Sequence, residues 1–255
     1  MLTTRVIPCL LLQNAGLVKT VKFTAPTYIG DPINAVKIFN DKEVDELIFL
    51  DIEATKENRR PLFTVIEDIA NECFMPFCYG GGVRDIDTIK QLFRLGAEKV
   101  SINSYAAEHQ NFIRKAAEMF GSQSIVVSID VKKTFWGKYD VITHGGTRKA
   151  RLDPVTYAAQ MEKMGAGELL INSIDRDGTM QGYDLALLHR ITEAVNIPVI
   201  ACGGAGALDH FVEAVKIGGA SAVAAGSMFV YYGKHHAVLI NYPDRTTLEQ
   251  LFHEE

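Results

Sequence analysis

Two stretches of this chain are copies of one another. Pro76-Phe77-Cys78-Tyr79-Gly80-Gly81-Gly82 and Pro198-Val199-Ile200-Ala201-Cys202-Gly203-Gly204 lie 122 residues apart, and Glu46-Leu47-Ile48 and Glu168-Leu169-Leu170 keep the same offset. Gly96-Ala97-Glu98-Lys99-Val100-Ser101 and Gly219-Ala220-Ser221-Ala222-Val223-Ala224 follow at 123. A 255-residue chain with this register is one half-length unit used twice, about 1–120 and 121–255. Each unit carries a Gly-rich turn behind an equivalent strand. Two such turns predict two phosphate sites, and hence a substrate with a phosphate at each end.

At this length and with 47% apolar residues the chain can bury a full core as one domain spanning 1–255. A formal charge of −5 with no Lys/Arg block argues against nucleic acid. The start Met1-Leu2-Thr3-Thr4-Arg5 does not read as a signal peptide, and no apolar run reaches membrane-spanning length. Cys9, Cys73, Cys78 and Cys202 have no CxxC spacing, and three of them fall in or beside strand-like segments. These features predict a cytoplasmic protein with no cofactor, no structural metal and no membrane partner.

Eight short apolar runs, at 5–12, 46–51, 76–79, 99–103, 124–130, 168–173, 198–202 and 222–225, alternate with helix-period segments at 32–40, 62–71, 86–95, 111–120, 154–164, 185–194 and 208–217. Continuous apolar strands separated by helices imply a parallel sheet covered by helices. Eight units in this length predict an α/β (β/α)8 TIM barrel with an internal two-fold half-barrel duplication. The rival open doubly wound sheet lacks its single fingerprint after the first strand.

In such barrels chemistry gathers at the carboxyl ends of the strands. Asp51, Asn103, Asp130, Ser173, Asp175 and the two glycine turns fall there, whereas Arg5, Glu46, Lys99 and Glu168 fall at the opposite ends. Backbone N–H groups of Gly81 and Gly82, and of Gly203 and Gly204, can converge on an anion ahead of the next helix. Asn103 and Ser104, and Gly226 and Ser227, end the following strands and complete the two cups. The alternative is that these glycines only make tight turns.

Seven motifs, taken in order, resemble the cyclase subunit of imidazole glycerol phosphate synthase. They are Arg5-Val6-Ile7-Pro8-Cys9-Leu10, Phe49-Leu50-Asp51-Ile52, Gly80-Gly81-Gly82, Lys99-Val100-Ser101-Ile102-Asn103, Phe120-Gly121-Ser122-Gln123-Ser124, Ser173-Ile174-Asp175-Arg176-Asp177-Gly178-Thr179 and Cys202-Gly203-Gly204-Ala205-Gly206. The resemblance runs to about Phe229. It implies a barrel that takes ammonia from a separate glutaminase docked on its amino-terminal face and adds it to a substrate with two phosphates, a lyase-type step in histidine biosynthesis. It further implies an ammonia gate at Arg5, Glu46, Lys99 and Glu168, with a structural salt-bridge cluster as the alternative. Asp177 and Gly178 would touch substrate, Lys19 would be functional, and Asp51 would orient substrate.

The family's two acid/base aspartates end strands one and five. Asp130 fills the second position, but the first falls at Leu11, which carries no proton. Placed proton transfer is worth about 10²- to 10⁴-fold, so the loss bears on the reaction. Residues 133–140 read as an aromatic hairpin with the chain's only Trp, available to stack on a base or line a sugar pocket, or else packed on the barrel. His235 and His236 are adjacent and lack the i, i+4 spacing of two helix ligands. Leu10-Leu11-Leu12, Phe135-Trp136-Gly137 and Gly233-Lys234-His235 resemble a second branch of the family associated with bacterial surface-polysaccharide (lipopolysaccharide) gene sets. That branch implies amidation of a nucleotide-linked acetamido sugar, with Asp130 placing the incoming nitrogen. A true histidine-pathway cyclase and a catalytically silent barrel that only activates a glutaminase are the alternatives.

Overall fold

A computed structural model describes residues 4–233 and 235–253; Met1, Leu2 and Thr3 of the N-terminal segment read above, and Lys234 of the C-terminal motif, lie outside the described residues. The barrel strands, first to eighth, are Arg5–Gln13, Leu47–Asp51, Phe77–Gly80, Lys99–Ile102, Ile125–Lys133, Glu168–Ser173, Val199–Cys202 and Ala222–Ala225. Each pairs in parallel with the next, and the eighth pairs with the first through Arg5↔Ala222 to Pro8↔Ala225, so the sheet closes. This is the α/β barrel that the strand and helix alternation predicts.

Closure accounts for strands that are apolar on both faces. Val6, Leu10, Leu47 and Phe49 point outward into the layer shared with the helices, while Ile7, Cys9, Ile48, Cys78, Val126, Leu170, Ile200, Cys202, Ala222 and Ala224 fill the barrel interior. The helices start where local chemistry dictates. Asp31 accepts from Ile33 N and Asn34 N ahead of Pro32–Asp41, Asp85 from Thr88 N, Asp153 from Thr156 N and Asp184 from Leu187 N. Each satisfies N–H groups that a helix start leaves unpaired.

Two elements depart from the expected pattern. The segment after the first strand folds back as a hairpin, Gly16–Val21 with Thr24–Gly30, whose second strand is largely exposed and therefore carries no buried period. The fifth strand runs past Asp130 to Lys133 because it continues into an antiparallel partner, Tyr139–Thr143. The aromatic tip does not pack on the barrel. Phe135 and Trp136 are 96% and 86% exposed, since they lie beyond the last paired rung, Lys133↔Tyr139, with no wall beneath them. They stack edge-to-face on each other instead.

Candidate functional site

The strand ends and their loops surround one pocket of about 1060 Å³, counting its open mouth. Lys19, Asp51 and Asp130 line it, as do Gly81, Asn103, Ser104, Asp177, Gly178, Gly203, Gly204, Gly226 and Ser227. Gly82 lies in an adjoining recess with Thr55, Arg84 and His144. The glycine turns and strand-end residues from both halves of the sequence thus meet in one place, because closing the sheet brings the third and fourth strand ends to face the seventh and eighth.

Asp130 is the most perturbed carboxyl of the pocket. Burial raises its pKa first, and the nearby charge of Asp177 adds to this, while a hydrogen bond from Asn103 opposes; the net result is a rise to about 7. Asn103 Nδ2 donates to Asp130 Oδ2 at 3.0 Å and to Ser128 O at 3.0 Å. A carboxyl balanced near neutrality can take up or release a proton during a reaction. Asp177 is buried, accepts from Thr20 Oγ1 at 3.0 Å, and anchors the first hairpin through its carbonyl, which accepts from Lys22 N at 2.9 Å.

Asp51 is held differently. Arg59 donates to both of its oxygens, at 2.8 and 2.9 Å, and Glu53 N and Ala54 N donate to Oδ1. Its Oδ2 also receives Tyr79 OH at 3.5 Å. With its lone pairs so engaged, Asp51 shapes the loop after the second strand.

The glycines are required where the backbone turns into the pocket. A Cβ on Gly81, at φ +115°, would meet Asp51 O at 2.4 Å, and one on Gly203, at φ +85°, would meet Asn172 Oδ1 at 2.5 Å. Gly226 leaves space for a buried cation, since a Cβ there would sit 2.2 Å from Lys19 Nζ. Leu11 also lines the pocket and pairs in register with Leu50, so the strand-one position presents an apolar side chain beside Asp130's chamber.

On the opposite floor four charges close into a ring. Arg5 pairs with Glu46 and Glu168, and Lys99 Nζ lies 3.0 Å from both carboxylates. Burial opposes the charge on Lys99, but the two glutamates outweigh it and raise its pKa. Ser101 Oγ, two residues above Lys99 on the fourth strand, and Asn172 Oδ1, in register with Asp130, are buried without a hydrogen-bond partner among the described residues. Both line the pocket, as does Lys56 from the loop after the second strand. None of the three is a candidate site residue from the sequence, although Ser101 lies inside the Lys99–Asn103 motif. The alternation Lys99, Ser101, Asn103, polar on one face of a strand, is the signal that reveals Ser101.

Residues 5–236 match the family described as histidine biosynthesis protein. A protein of Pseudomonas aeruginosa, named as a candidate imidazole glycerol phosphate synthase subunit, is 53% identical over 98% of this chain and 99% of its own. Proteins with the same designation from Leptospira borgpetersenii and Vibrio vulnificus are 49% and 48% identical, over 99% and 95% of this chain and 100% and 94% of theirs. Among the described residues no helix is long and apolar enough to cross a membrane.

Proposed function

The chain belongs to the imidazole glycerol phosphate synthase cyclase-subunit family, and from that premise we infer that it is the ammonia-using synthase subunit of a two-component glutamine amidotransferase. A glutaminase docks over the Arg5–Glu46–Lys99–Glu168 ring, ammonia passes along the interior past Ser101 and Asn172, and it attacks an electrophilic carbon of a substrate held in the pocket. The substrate's phosphates sit in the Gly81–Gly82/Asn103–Ser104 and Gly203–Gly204/Gly226–Ser227 cups. After attack, the nitrogen passes a proton to the Asp130 carboxylate, which returns it to a leaving oxygen. The observation that carries this reading is Asp130, with its pKa near 7, in the same chamber as both glycine turns. The relatives' designations support imidazole glycerol phosphate synthesis as the reaction. We also assign the chain to one barrel domain working in the cytoplasm.

Leu11 favours a second reading of the acceptor. A cyclase with two acid/base carboxylates needs one at the strand-one position, and the tethered Asp51 offers no free lone pair in its place. An acceptor needing only one such group, such as an acetamido carbon on a nucleotide-linked sugar for surface polysaccharide, is compatible with Leu11.

One experiment separates the two. The natural chain and Leu11→Asp are each supplied with ammonium salt and the two-phosphate substrate of the histidine pathway, and imidazole formation is followed. Ready turnover by the natural chain supports the histidine-pathway reaction. Silence in the natural chain with activity gained by Leu11→Asp supports a changed acceptor. Silence in both overturns the cyclase-type pocket.

A further inference from the structure

We propose that Lys56 is a specificity-determining residue that clamps the phosphate of the first-half cup, giving each cup one lysine. The proposal rests on the two-cup reading above and extends it to a residue outside every motif that carried that reading. Lys56 leaves the loop after the second strand and reaches the hairpin loop after the fifth. There a Cβ on Gly145, at φ +61°, would lie 2.3 Å from Lys56 Cε and 3.0 Å from Nζ. Gly145 is therefore the seat on which the ammonium rests. The residue before it, His144, donates its backbone N–H to Ser104 Oγ at 2.9 Å, so the seat is tied directly to the Asn103–Ser104 side of the first cup. The ammonium thus projects over the cup that Gly81, Asn103 and Ser104 build, and all four residues line the one pocket.

The second cup is served in the corresponding way. Lys19 follows the first strand, which neighbours the eighth, and its ammonium lies against Gly226. Lys56 follows the second strand, which neighbours the third, where Gly80 begins the other turn. Among the described residues neither lysine has a carboxylate at ion-pair distance. An unpaired ammonium at the wall of a polar pocket gains most from an anion with several acceptor oxygens. The ligand chemistry is a phosphomonoester at the first cup, and Lys56 selects for its charge.

The test follows the backbone amides of both cups by NMR in the full-length protein during titration with inorganic phosphate, a probe for either cup. Lys56→Gln is expected to weaken phosphate binding at Gly81, Gly82 and Ser104 by about tenfold, the loss of one charge-assisted contact, while Gly203, Gly204 and Ser227 keep the natural response. Lys56→Arg retains the charge and is expected to restore most of the binding. Gly145→Ala, which displaces the ammonium without removing it, is expected to weaken the first cup in the same direction. If the natural protein binds phosphate at both cups and Lys56→Gln leaves the first unchanged, the lysine proposal is overturned and the cup reading stands. If the natural protein shows phosphate at neither cup, both fall. Equal weakening at the two cups would also overturn it, since that is an effect of overall charge.

Discussion

Asn103 Nδ2 bridges Ser128 O and Asp130 Oδ2, each at 3.0 Å, so the end of the fourth strand holds the carboxyl of the fifth. The amide anchors Asp130 in one rotamer while burial and Asp177 keep its proton affinity high. The consequences for rate and for stability have opposite signs.

If Asp130 accepts the proton, turnover with ammonium salt rises with pH through about 7, the value at which this carboxyl ionises. Asp130→Asn is expected to lower kcat by about 10²- to 10⁴-fold and to abolish that ionisation in the pH–rate profile. A profile unchanged in shape would place the acid/base group elsewhere.

The same carboxyl costs stability when it is charged. Its folded-state pKa lies above the unfolded value of 3.8, so the native state holds the proton more tightly. The stability it contributes when protonated is fully present below about pH 4 and is lost as pH rises through about 7, by at most roughly 4 kcal/mol. Urea denaturation of Asp130→Asn against the natural chain is expected to show a gain at pH 8 and none at pH 4.

Asp51 answers to a different test. Its side chain is 2% exposed and gripped by Arg59, so neutralising it weakens two charge-assisted hydrogen bonds and leaves Arg59 with Glu57 as its remaining carboxylate partner. Asp51→Asn is expected to cost about 2 kcal/mol of stability, the size of a weakened charge-assisted hydrogen bond, without altering the pH dependence of the residual rate. A lost ionisation in that profile would make Asp51 an acid/base group after all.

Lys99 holds two nearly buried glutamates of the floor ring together. Lys99→Met leaves Arg5 as their sole cationic partner and is expected to destabilise the fold by about 3 kcal/mol, read by denaturant titration. If the ring is the ammonia entrance, glutamine-driven turnover falls in this variant more than ammonium-driven turnover. Equal loss of both would make the ring a purely structural cluster.

Gly226→Ala sets a Cβ 2.2 Å from Lys19 Nζ and 2.9 Å from Cys9 O. The ammonium can swing away but the carbonyl cannot, so Lys19 must leave its place. Substrate KM is expected to rise about tenfold, the size of one charge-assisted contact, with the fold retained by circular dichroism.

The architecture was legible in the sequence because a parallel barrel imposes two regular demands: strands apolar on both faces, and helices at even intervals between them. The 122-residue repeat of Glu46-Leu47-Ile48 and the glycine turns mark equivalent strands in the two halves. Polar residues ending those runs marked the pocket face for the same reason. The hairpin Gly16–Gly30 escaped notice because half of it is exposed, and exposure leaves no hydrophobic period to read.

Sequence alone determined which residues stand at strand ends, that two glycine turns recur, and that leucine occupies position 11. It did not determine which of those residues touch. Whether Asp51 is free or tethered depends on Arg59 folding back across its own loop, and the pKa of Asp130 depends first on its burial and then on Asp177, brought in by the loop after the neighbouring sixth strand. Lys56 meets Gly145, 89 residues away, only because closure brings the second and fifth loops together over the mouth. Strand patterns are local, carried by side-chain alternation along a few residues. Proton affinity and ligand reach are set by neighbours from distant segments, and only the closed sheet supplies those.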